Sequence, residues 1–283
     1  MKLLRVGPVG EERPAVQGED GRLYDLSDVT SEIDGAFLAS GGVDRVRAAL
    51  AGGELPGVHH DGLRIGAPLA RPGKIVCIGL NDRDHAEETG SDLPTEPTIF
   101  MKASNTLIGP DDEVLVPRAS VKTDWEVELA VAIGQTARYL DSPADAPSVI
   151  AGYCVANEVS EREFQKERGG TWDKGKSCET FFPLGPWLVT ADEVPDPQAL
   201  GLRLSVNGER RQDGTTADMV FGVHHVVHYV SQFMVLDPGD IISTGTPAGV
   251  AAGMPEPAYL RAGDVMELEI DGLGSQRQVV GQA

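Results

Sequence analysis

The chain has 283 residues, of which 41% are hydrophobic, so it is long enough for one large globular domain or two smaller ones. Lys and Arg total 24 against 44 Asp and Glu, which gives a net charge of −20 at pH 7 and a pI near 4.6. So acidic a chain repels nucleic-acid phosphates and anionic lipids, and we expect no nucleic acid and no membrane as partners. If the substrate is an anion, the site must supply its own local positive charge.

The cysteines and the N-terminal residues favour a reducing compartment. Cys77, Cys154 and Cys178 form no C-x-x-C pair and lie in apolar or compact segments, which is typical of packed thiols. The first ten residues, MKLLRVGPVG, contain too short an apolar run for a signal peptide. No stretch approaches the ~20 apolar residues of a membrane-spanning helix. We therefore expect a soluble, cytoplasmic protein.

The first 70 residues are predicted to form a small N-terminal domain. The Pro/Gly-rich segment ARPGK at 70–74 marks its boundary. His59 and His60 lie in a polar turn, where we expect exposed rather than functional side chains. The pattern predicts strands at 2–6, 22–26 and 63–65, and a helix at 43–51 that Gly52 and Gly53 end.

Residues 71–283 are strand-rich and form the larger predicted domain. Apolar residues recur at helical spacing most clearly over 223–236. Because strands and helices do not alternate, a doubly wound parallel sheet is disfavoured. We predict an α+β, mainly β fold, in which a mixed, mostly antiparallel β-roll carries a few covering helices. The predicted strands are 75–79, 98–101, 125–133, 152–157, 187–190, 202–206, 240–243 and 265–270.

Two glutamates in the run DWEVELAVAIG predict a metal site. Glu126 and Glu128 are two residues apart on a predicted strand, so their side chains point to the same face. An E-x-E pair usually marks a solvated face, but the apolar flanking residues favour a buried one here. Two buried carboxylates need a positive partner, and carboxylate oxygens suit Mg²⁺, Mn²⁺ or Ca²⁺. Glu158 ends the next apolar strand and is the candidate third ligand.

A histidine and a glutamate follow the first strand of the larger domain. In KIVCIGLNDRDHAEETG, His85 and Glu88 are three residues apart on a predicted short helix, where such residues are neighbours. A carboxylate that orients a histidine ring and stabilises its charged form makes the ring a general base. An exposed His–Glu pair on a helix surface is the alternative that the spacing leaves open.

Basic residues follow Glu158 at short range. Arg162 and Gln165 are three apart on a predicted helix, and Lys176 lies in the glycine-rich segment GTWDKGKSC. Cations beside a carboxylate cluster suit an anionic substrate that bridges them to a metal, although they could instead neutralise surface acids. In the segment DIISTGTPAGV, Thr246 offers a hydroxyl, and the glycines let a ligand approach the backbone.

Six segments, in this order, resemble the fumarylacetoacetate hydrolase family over residues 70–283. They are KIVCIGLNDRDHAEETG, PTIFMKASNTLIGP, DWEVELAVAIG, AGYCVANEVSEREFQ, GKSCETFFPLGPWLVT and ISTGTPAGV. The stretch SEREFQKERGGTWDKGK is similar to the acylpyruvase-like branch that acts on 2,4-diketo-3-deoxy sugar acids. On this resemblance, residues 71–283 form the family's catalytic domain with its mixed β-roll.

The resemblance implies roles for the residues singled out above. It implies that the protein binds Mg²⁺ or Mn²⁺, forms a homodimer and acts on a small anionic 2-oxo or diketo acid. The residues that match the family's pattern are Glu126 and Glu128 as metal ligands, His85 and Glu88 as the dyad that activates water, Lys176 as a catalytic lysine, and Arg162, Gln165 and Thr246 on the substrate side. Glu158 stands at the position of the third metal ligand, and Asp82 stands at a further substrate-side position.

Three residues depart from the family's pattern. Glu158 stands where the family usually has Asp, and its extra methylene moves the carboxylate by roughly one bond length against the tight distances that Mg²⁺ requires. We therefore expect weaker metal binding or a shifted strand. Asp82 replaces a substrate-side tyrosine, and Glu179 replaces an aspartate in the K-x-x-D-T block. All three are expected at or near the site, where they indicate a changed substrate or reaction.

These observations predict a divalent-metal-dependent hydrolase that cleaves a C–C bond in a β-diketo acid, acylpyruvate-like or a diketo-deoxy sugar acid. The His85–Glu88 dyad would activate water, and Lys176 and Arg162 would stabilise developing negative charge. The main alternative is an isomerase, decarboxylase or lyase that acts on a 2-oxo acid through a metal-held enolate. The second alternative, which Asp82 and Glu158 suggest, is a non-catalytic ligand-binding homologue.

Overall fold

The computed structural model describes residues 1–58, 62–88, 90 and 92–283. The expectation for His59 and His60 lies outside the described residues. No helix in this part of the chain is long and apolar enough to cross a membrane.

The strands are β1 (Lys2–Val6), β2 (Arg13–Gln17), β3 (Leu23–Asp25), β4 (Gly57–Val58), β5 (Ile65–Gly66), β6 (Ile75–Gly79), β7 (Thr98–Lys102), β8 (Leu107–Ile108), β9 (Val114–Val116), β10 (Thr123–Asp124), β11 (Val127–Ile133), β12 (Ile150–Asn157), β13 (Ser160–Glu161), β14 (Phe182–Thr190), β15 (Gly201–Val206), β16 (Glu209–Thr215), β17 (Ile241–Ser243), β18 (Val265–Ile270) and β19 (Gly274–Gln282). The α-helices are α1 (Gly35–Ala39), α2 (Gly42–Gly52), α3 (Arg83–Glu88), α4 (Arg162–Lys166), α5 (Asp173–Lys176) and α6 (Val223–Ser231), and 3₁₀ helices span Ser104–Thr106, Pro143–Val149, Ala191–Glu193, Thr216–Asp218 and Ala251–Gly253.

Most of the strands join one large mixed sheet. Within the described residues its order is β4–β3–β2–β1–β14–β12–β11–β17–β6–β7, with β5 paired to β1 and β8 paired to β14. Its neighbouring strands are antiparallel except for β6 beside β17 and β8 beside β14. A second sheet has the order β16–β15–β18–β19–β9, and β10 pairs with β13. The predicted α+β, mainly β fold class is confirmed.

The burial of each strand follows from its sequence. All seven residues of β11, VELAVAI, are buried, as expected for an almost continuous apolar run in the interior of a large sheet. Burial alternates along β18, VMELEI, whose apolar residues face the core while Glu267 and Glu269 face solvent. β11 therefore carries Glu128 into the interior, whereas the glutamates of β18 stay outside.

The N-terminal residues extend the large sheet. β1 pairs with β14, so that Lys2 lies opposite Val189 and Leu3 lies opposite Leu188. Leu3 and Leu188 also belong to one buried apolar cluster, which draws side chains from both predicted domains. The boundary between the two domains stays a prediction, and the structure shows a continuous sheet on both sides of it.

Eight observed strands were not predicted: the longer strands β2, β16 and β19, and the two- or three-residue strands β4, β8, β9, β10 and β13. β16 has one buried residue, Gln212, so its apolar periodicity is weak. The predicted helix at 223–236 is α6, which ends at Ser231. Its last predicted residue, Leu236, instead forms a β-bridge with Ala137, so a long-range contact replaces the final helical turn.

Candidate active site

Three buried glutamates meet where β11 begins and β12 ends. Glu126 precedes β11, Glu128 is its second residue, and Glu158 follows β12. The two strands are antiparallel neighbours, and the amide of Glu158 donates to the carbonyl of Glu126 at 2.8 Å. Carboxylate oxygens from the three side chains lie within 4.8 Å of one another. The structure thus brings the three predicted metal ligands together.

Two cations neutralise Glu126. Lys176 Nζ lies 2.9 Å from Glu126 Oε2, and Arg162 Nη2 lies 2.7 Å from Oε1. Burial alone would raise the pKa of the Glu126 carboxyl, but Lys176 and Arg162 outweigh it and hold that pKa well below its ordinary value. Glu126 is therefore a carboxylate in the folded protein.

Glu158 lies between two buried lysines. Its Oε2 is 3.1 Å from Lys176 Nζ, and its Oε1 is 3.1 Å from Lys102 Nζ. Lys102, at the end of β7, also donates to the carbonyl of Val159 at 2.9 Å. Burial raises the pKa of Glu158, and the two ammonium groups offset only part of that rise. The glutamate side chain at this position is long enough to reach both lysines.

Glu128 forms no ion pair with any described residue. Its Oε2 accepts hydrogen bonds from Ser243 Oγ at 2.6 Å and from the amide of Gly245 at 2.9 Å. Burial, followed by the negative charges of the other two glutamates, raises the pKa of Glu128 well above its ordinary value. Of the three carboxylates, this is the one that forms no ion pair with a described cation, and Lys176 offsets only part of its charge.

The three glutamates fit a hard divalent cation. Mg²⁺, Mn²⁺ and Ca²⁺ prefer oxygen donors, and carboxylates supply them here from three side chains. A cation beside Glu128 would also offset the repulsion that raises the pKa of its carboxyl. Glu126, Glu128 and Glu158 are therefore the residues that could hold a metal.

His85 and Glu88 lie within reach of each other on α3. His85 Nδ1 is 3.5 Å from Glu88 Oε2, slightly longer than a normal hydrogen bond, and the His85 ring is buried. Both oxygens of Glu88 accept from the amide of Gly249 at 3.1 Å. Gly253 also lies against Glu88, since a Cβ at residue 253 would come within 2.4 Å of the Glu88 Cδ. The loop after β17 thus fixes the carboxylate that faces the histidine.

His85 and the three glutamates line one cavity of about 170 Å³, which is large enough for a small organic acid and several waters. Trp172 and Phe100 form an aromatic part of its wall, with ring centroids 5.2 Å apart. Lys166 is exposed, unlike the other described lining residues, and so marks the mouth. The lining residues are Ile78, Gly79, Leu80, His85, Phe100, Glu126, Glu128, Glu158, Arg162, Gln165, Lys166, Trp172, Lys176, Thr246, Val250 and Ala252.

Arg162 is held largely by protein acceptors. Its Nε donates to Asp124 Oδ2 at 2.8 Å and its Nη1 donates to Gln165 Oε1 at 3.2 Å, in addition to the ion pair with Glu126. A guanidinium has five N–H donors, so Arg162 can still donate to a substrate. Arg162, Gln165 and Lys176 all line the cavity, as expected for groups that contact a ligand.

Thr246 lines the cavity with a hydroxyl that is already engaged. Its Oγ1 donates to the carbonyl of Val127 at 2.9 Å and accepts from Gln212 Nε2 at 2.8 Å. One lone pair is left for a ligand donor. Glu179, one of the three departures from the family's pattern, is exposed and is not among the described residues that line the cavity.

Asp82 lies outside the set of described residues that line the cavity. Its Oδ1 accepts from the amides of Asp84 at 3.1 Å and His85 at 3.3 Å, which is the geometry of a helix N-cap. Burial raises the pKa of Asp82 to about 6. The structure therefore places Asp82 as the cap of α3, the helix that carries His85, where the sequence predicted a substrate-side residue.

The family model for the fumarylacetoacetate (FAA) hydrolase C-terminal domain matches residues 74–281. The chain belongs to the fumarylacetoacetate hydrolase family. A protein of Burkholderia multivorans, provisionally named a hydrolase, is 52% identical to this family member over 280 residues, which cover 99% of this chain and 98% of the relative.

Solved structures of similar fold include a hydrolase and an isomerase. Maleylpyruvate hydrolase from Sphingobium sp. SYK-6, in complex with manganese(II) and pyruvate, has a TM-score of 0.81, 29% identity and 100% coverage of both chains. 5-Carboxymethyl-2-hydroxymuconate delta-isomerase from Mycobacterium smegmatis has a TM-score of 0.78 and 29% identity, and covers 100% of this chain and 99% of its own. The fold of this fumarylacetoacetate hydrolase family member is thus shared by enzymes of two reaction types.

Sequence reasoning missed three charged residues of the site, Lys102, Asp124 and Lys166. The signal for Asp124 lies in DWEVE, where Asp124, Glu126 and Glu128 alternate and so share one face of an extended chain. The signal for Lys102 is weaker, because a lysine that ends an apolar strand is usually exposed.

Proposed function

We propose that this family member is a divalent-metal-dependent hydrolase that cleaves the C–C bond of a β-diketo acid, acylpyruvate-like or a diketo-deoxy sugar acid. One observation carries the proposal: the same cavity is lined by a metal-binding set of glutamates and by His85, a base backed by the carboxylate of Glu88. A Lewis acid that polarises the carbonyl and a base that deprotonates water both accelerate the addition of water to a carbonyl.

Glu126, Glu128 and Glu158 would hold the metal ion. When bound, a divalent cation would supply Lewis-acid polarisation of the substrate's oxygens. The manganese in the maleylpyruvate hydrolase structure supports Mn²⁺, and the all-oxygen donor set supports Mg²⁺ equally. The homodimer that the family resemblance implies, and the cytoplasmic location expected from the cysteines, belong to the same proposal.

The dyad would activate the attacking water. With Nδ1 turned towards Glu88, the Nε2 atom of His85 accepts a proton from water, whose oxygen bonds to the distal carbonyl carbon. The C–C bond then breaks, releasing a carboxylic acid and the enolate of a 2-oxo acid. The enolate carbon takes up a proton, so that one water is consumed and His85 returns to its neutral form. N–H donors of Lys176 and Arg162 stabilise the negative charge that develops on oxygen.

The charges around the cavity suit a small anionic substrate despite the net charge of −20. Arg162 and Lys176 keep N–H donors beyond those used by Glu126 and its neighbours. Lys166, at the mouth, forms no ion pair with a described residue, so its charge is available to an incoming carboxylate. These cations support the proposed 2-oxo or diketo acid.

An isomerase acting on a 2-oxo acid is the second candidate, because a delta-isomerase shares the fold. An isomerase moves protons on the substrate and consumes no water. The products therefore distinguish the two functions more directly than the site does.

The test is turnover of acetylpyruvate in H₂¹⁸O with Mn²⁺ or Mg²⁺ added or chelated. Hydrolysis yields pyruvate and acetate that contains one ¹⁸O, whereas isomerisation leaves the carbon skeleton whole. His85→Ala and Glu88→Gln should each lower kcat by about 10²–10⁴-fold, and the double variant should cost little more than either. His225→Ala, at an exposed histidine on α6, is the matched control and should retain kcat. Full activity of His85→Ala, or failure of the metal-loaded wild type to cleave acetylpyruvate and longer acylpyruvates, would contradict the proposal.

A further inference from the structure

Asp124 is a fully buried carboxylate that the proposed reaction steps do not use. Its Oδ1 accepts from the amides of Trp125 at 2.9 Å and Ala251 at 2.8 Å. Its Oδ2 accepts from the amide of Ala252 at 3.0 Å and from Arg162 Nε at 2.8 Å. One side chain therefore connects the loop that contains residues 251 and 252 to a cation that lines the cavity.

The loop at 249–253 is in turn bound to the dyad. The amide of Gly249 donates to both carboxylate oxygens of Glu88 at 3.1 Å, and the carbonyl of Gly249 accepts from the indole Nε1 of Trp125 at 3.1 Å. Gly249 adopts φ +104°, and a Cβ there would lie 1.8 Å from the carbonyl oxygen of Arg211, so the backbone approaches its neighbours more closely than a side chain would allow. A shift of this loop would move the Glu88 carboxylate directly.

Asp124 also fixes the plane of the Arg162 guanidinium. The guanidinium is planar and presents its donors in a fixed geometry, so a bond to Nε sets the direction of the N–H groups on Nη1 and Nη2. Nη2 lies 2.7 Å from Glu126, and the side chain is buried in the cavity wall. Without Asp124, Arg162 would keep its charge but lose the constraint on its orientation.

We propose that Asp124 is a positioning residue, which holds Arg162 and, through residues 249–253, Glu88 in fixed positions beside one cavity. The inference rests on the proposed function, because it assigns Arg162 to the substrate and Glu88 to the base. Asp124 touches neither the substrate nor the attacking water. It acts through two different groups, so its loss should affect binding and turnover separately.

Two substitutions separate the two effects. Asp124→Asn keeps the size of the side chain but replaces one accepting oxygen with an NH₂ group. That group would face backbone amides or the Arg162 guanidinium, which are themselves donors. We expect kcat for acetylpyruvate to fall about 100-fold, as for a small misplacement of a catalytic group, and KM to rise about tenfold. Trp125→Phe removes the indole bond to Gly249 and leaves the Asp124–Arg162 contact in place. It should lower kcat while KM stays within about twofold of wild type.

Asp240→Asn is the matched control. Asp240 is also fully buried, accepts from the amides of Lys74 at 3.0 Å and Asp237 at 2.6 Å, and pairs with the Lys74 ammonium, but it does not line the cavity. It should lose a comparable amount of thermal stability and retain kcat and KM. If Asp124→Asn, once folded, matches Asp240→Asn in both constants, Asp124 has a structural role only and the inference is wrong.

A double-mutant cycle tests the connection to Glu88, which Asp124 does not touch. If Asp124 acts through the loop, Asp124→Asn should lower kcat by a much smaller factor in the Glu88→Gln variant than in the wild type. If the factor by which the double variant lowers kcat equals the product of the two single factors, Asp124 and Glu88 act independently and the connection is wrong. If Asp124→Asn does not fold, the same cycle is measured with Trp125→Phe, whose loss acts on the same loop.

Failure of the proposed function would be seen differently, as absence of acylpyruvate turnover by the wild type. The inference then rests on pyruvate binding to the Mn²⁺-loaded protein, measured by calorimetry. We expect Asp124→Asn to bind pyruvate about tenfold more weakly than either the wild type or Asp240→Asn, in line with loss of one oriented charge-assisted hydrogen bond. Equal affinity in the three proteins, or binding by none of them, would contradict the inference.

Discussion

Glu128→Gln should weaken metal binding more than about 100-fold and at the same time stabilise the metal-free protein. Glutamine has the size of glutamate, and its amide oxygen can accept the same hydrogen bonds from Ser243 and Gly245. No ion pair is lost, because Glu128 forms none with a described residue. What the substitution removes is a buried charge that two other carboxylates repel.

Burial of the Glu128 charge sets the size of the stabilisation, and the direction in which folding shifts the pKa of Glu128 sets its sign. A carboxyl whose pKa is raised by folding binds its proton more tightly in the folded state, so it favours folding at low pH. That contribution is lost as the pH rises through the raised pKa. The effective penalty for burying an ion in a protein is several kcal/mol, and a neutral glutamine relieves part of it, so we expect the metal-free protein to gain about 2 kcal/mol of stability. For a protein of this size, we expect Tm at pH 7 to rise by about 4–8 °C.

Glu126→Gln is the control, since it removes a metal ligand that two cations do neutralise. Lys176 and Arg162 would each lose a buried partner, and we expect a loss of about 3–5 kcal/mol. Both variants should bind Mn²⁺ more than about 100-fold more weakly, beyond what loss of an outer-shell partner costs. Thermal unfolding in chelator and Mn²⁺ titration by calorimetry measure the two quantities. Wild-type Mn²⁺ affinity in Glu128→Gln, or destabilisation equal to that of Glu126→Gln, would refute the reasoning.

Three further predictions concern single residues. Glu158→Asp should destabilise the metal-free protein by about 3 kcal/mol, because a shorter side chain cannot keep both lysines at 3.1 Å, and an unchanged Tm in chelator would contradict this. Asp82→Asn should flatten the pH dependence of the unfolding free energy between about pH 4 and pH 6, where a carboxyl with its pKa raised to about 6 makes folding less favourable as the pH rises. Urea unfolding at both ends of that range tests it, and a slope equal to that of the wild type would count against it. Lys166→Met should raise KM for acetylpyruvate about fivefold and leave KM for its methyl ester unchanged. Lys174→Met is the control and should alter neither value. Equal effects of the two variants would show that Lys166 does not contact the substrate's carboxylate.

The parts of the fold that could be predicted are those that local patterns specify. β11 is an almost continuous apolar run, and its residues are buried as that run predicts. The same run contains Glu128, so the position of one candidate ligand follows from the strand. β16 could not be predicted, because six of its seven residues are not buried and it is recognisable mainly by its pairing with β15. The end of α6 depends on a bridge between residues about a hundred positions apart, Ala137 and Leu236.

The candidate site also has residues that local sequence patterns could predict and residues that only long-range packing brings into place. Glu126 and Glu128 could be assigned to one face because a strand alternates its side chains, and Glu158 joins them because antiparallel neighbours meet at one edge. The partners of these acids could not be assigned from sequence. Lys102 reaches Glu158 from a strand 56 residues away in the chain, and that contact depends on how β7 packs in the finished sheet.

The charges of the buried cluster indicate an order of binding. Four buried carboxylates, one of them Asp124, face three buried cations, so the cluster as a whole carries an excess negative charge while all four acids are ionised. Burial and, after it, the repulsion from that excess charge raise the pKa of Glu128. In this state the cavity disfavours a carboxylate. A bound divalent cation would reverse the sign of the local charge to positive, which is the sign that an anionic 2-oxo acid needs. In a protein with a net charge of −20, metal binding should therefore precede substrate binding, because the metal supplies the attraction that the rest of the surface does not.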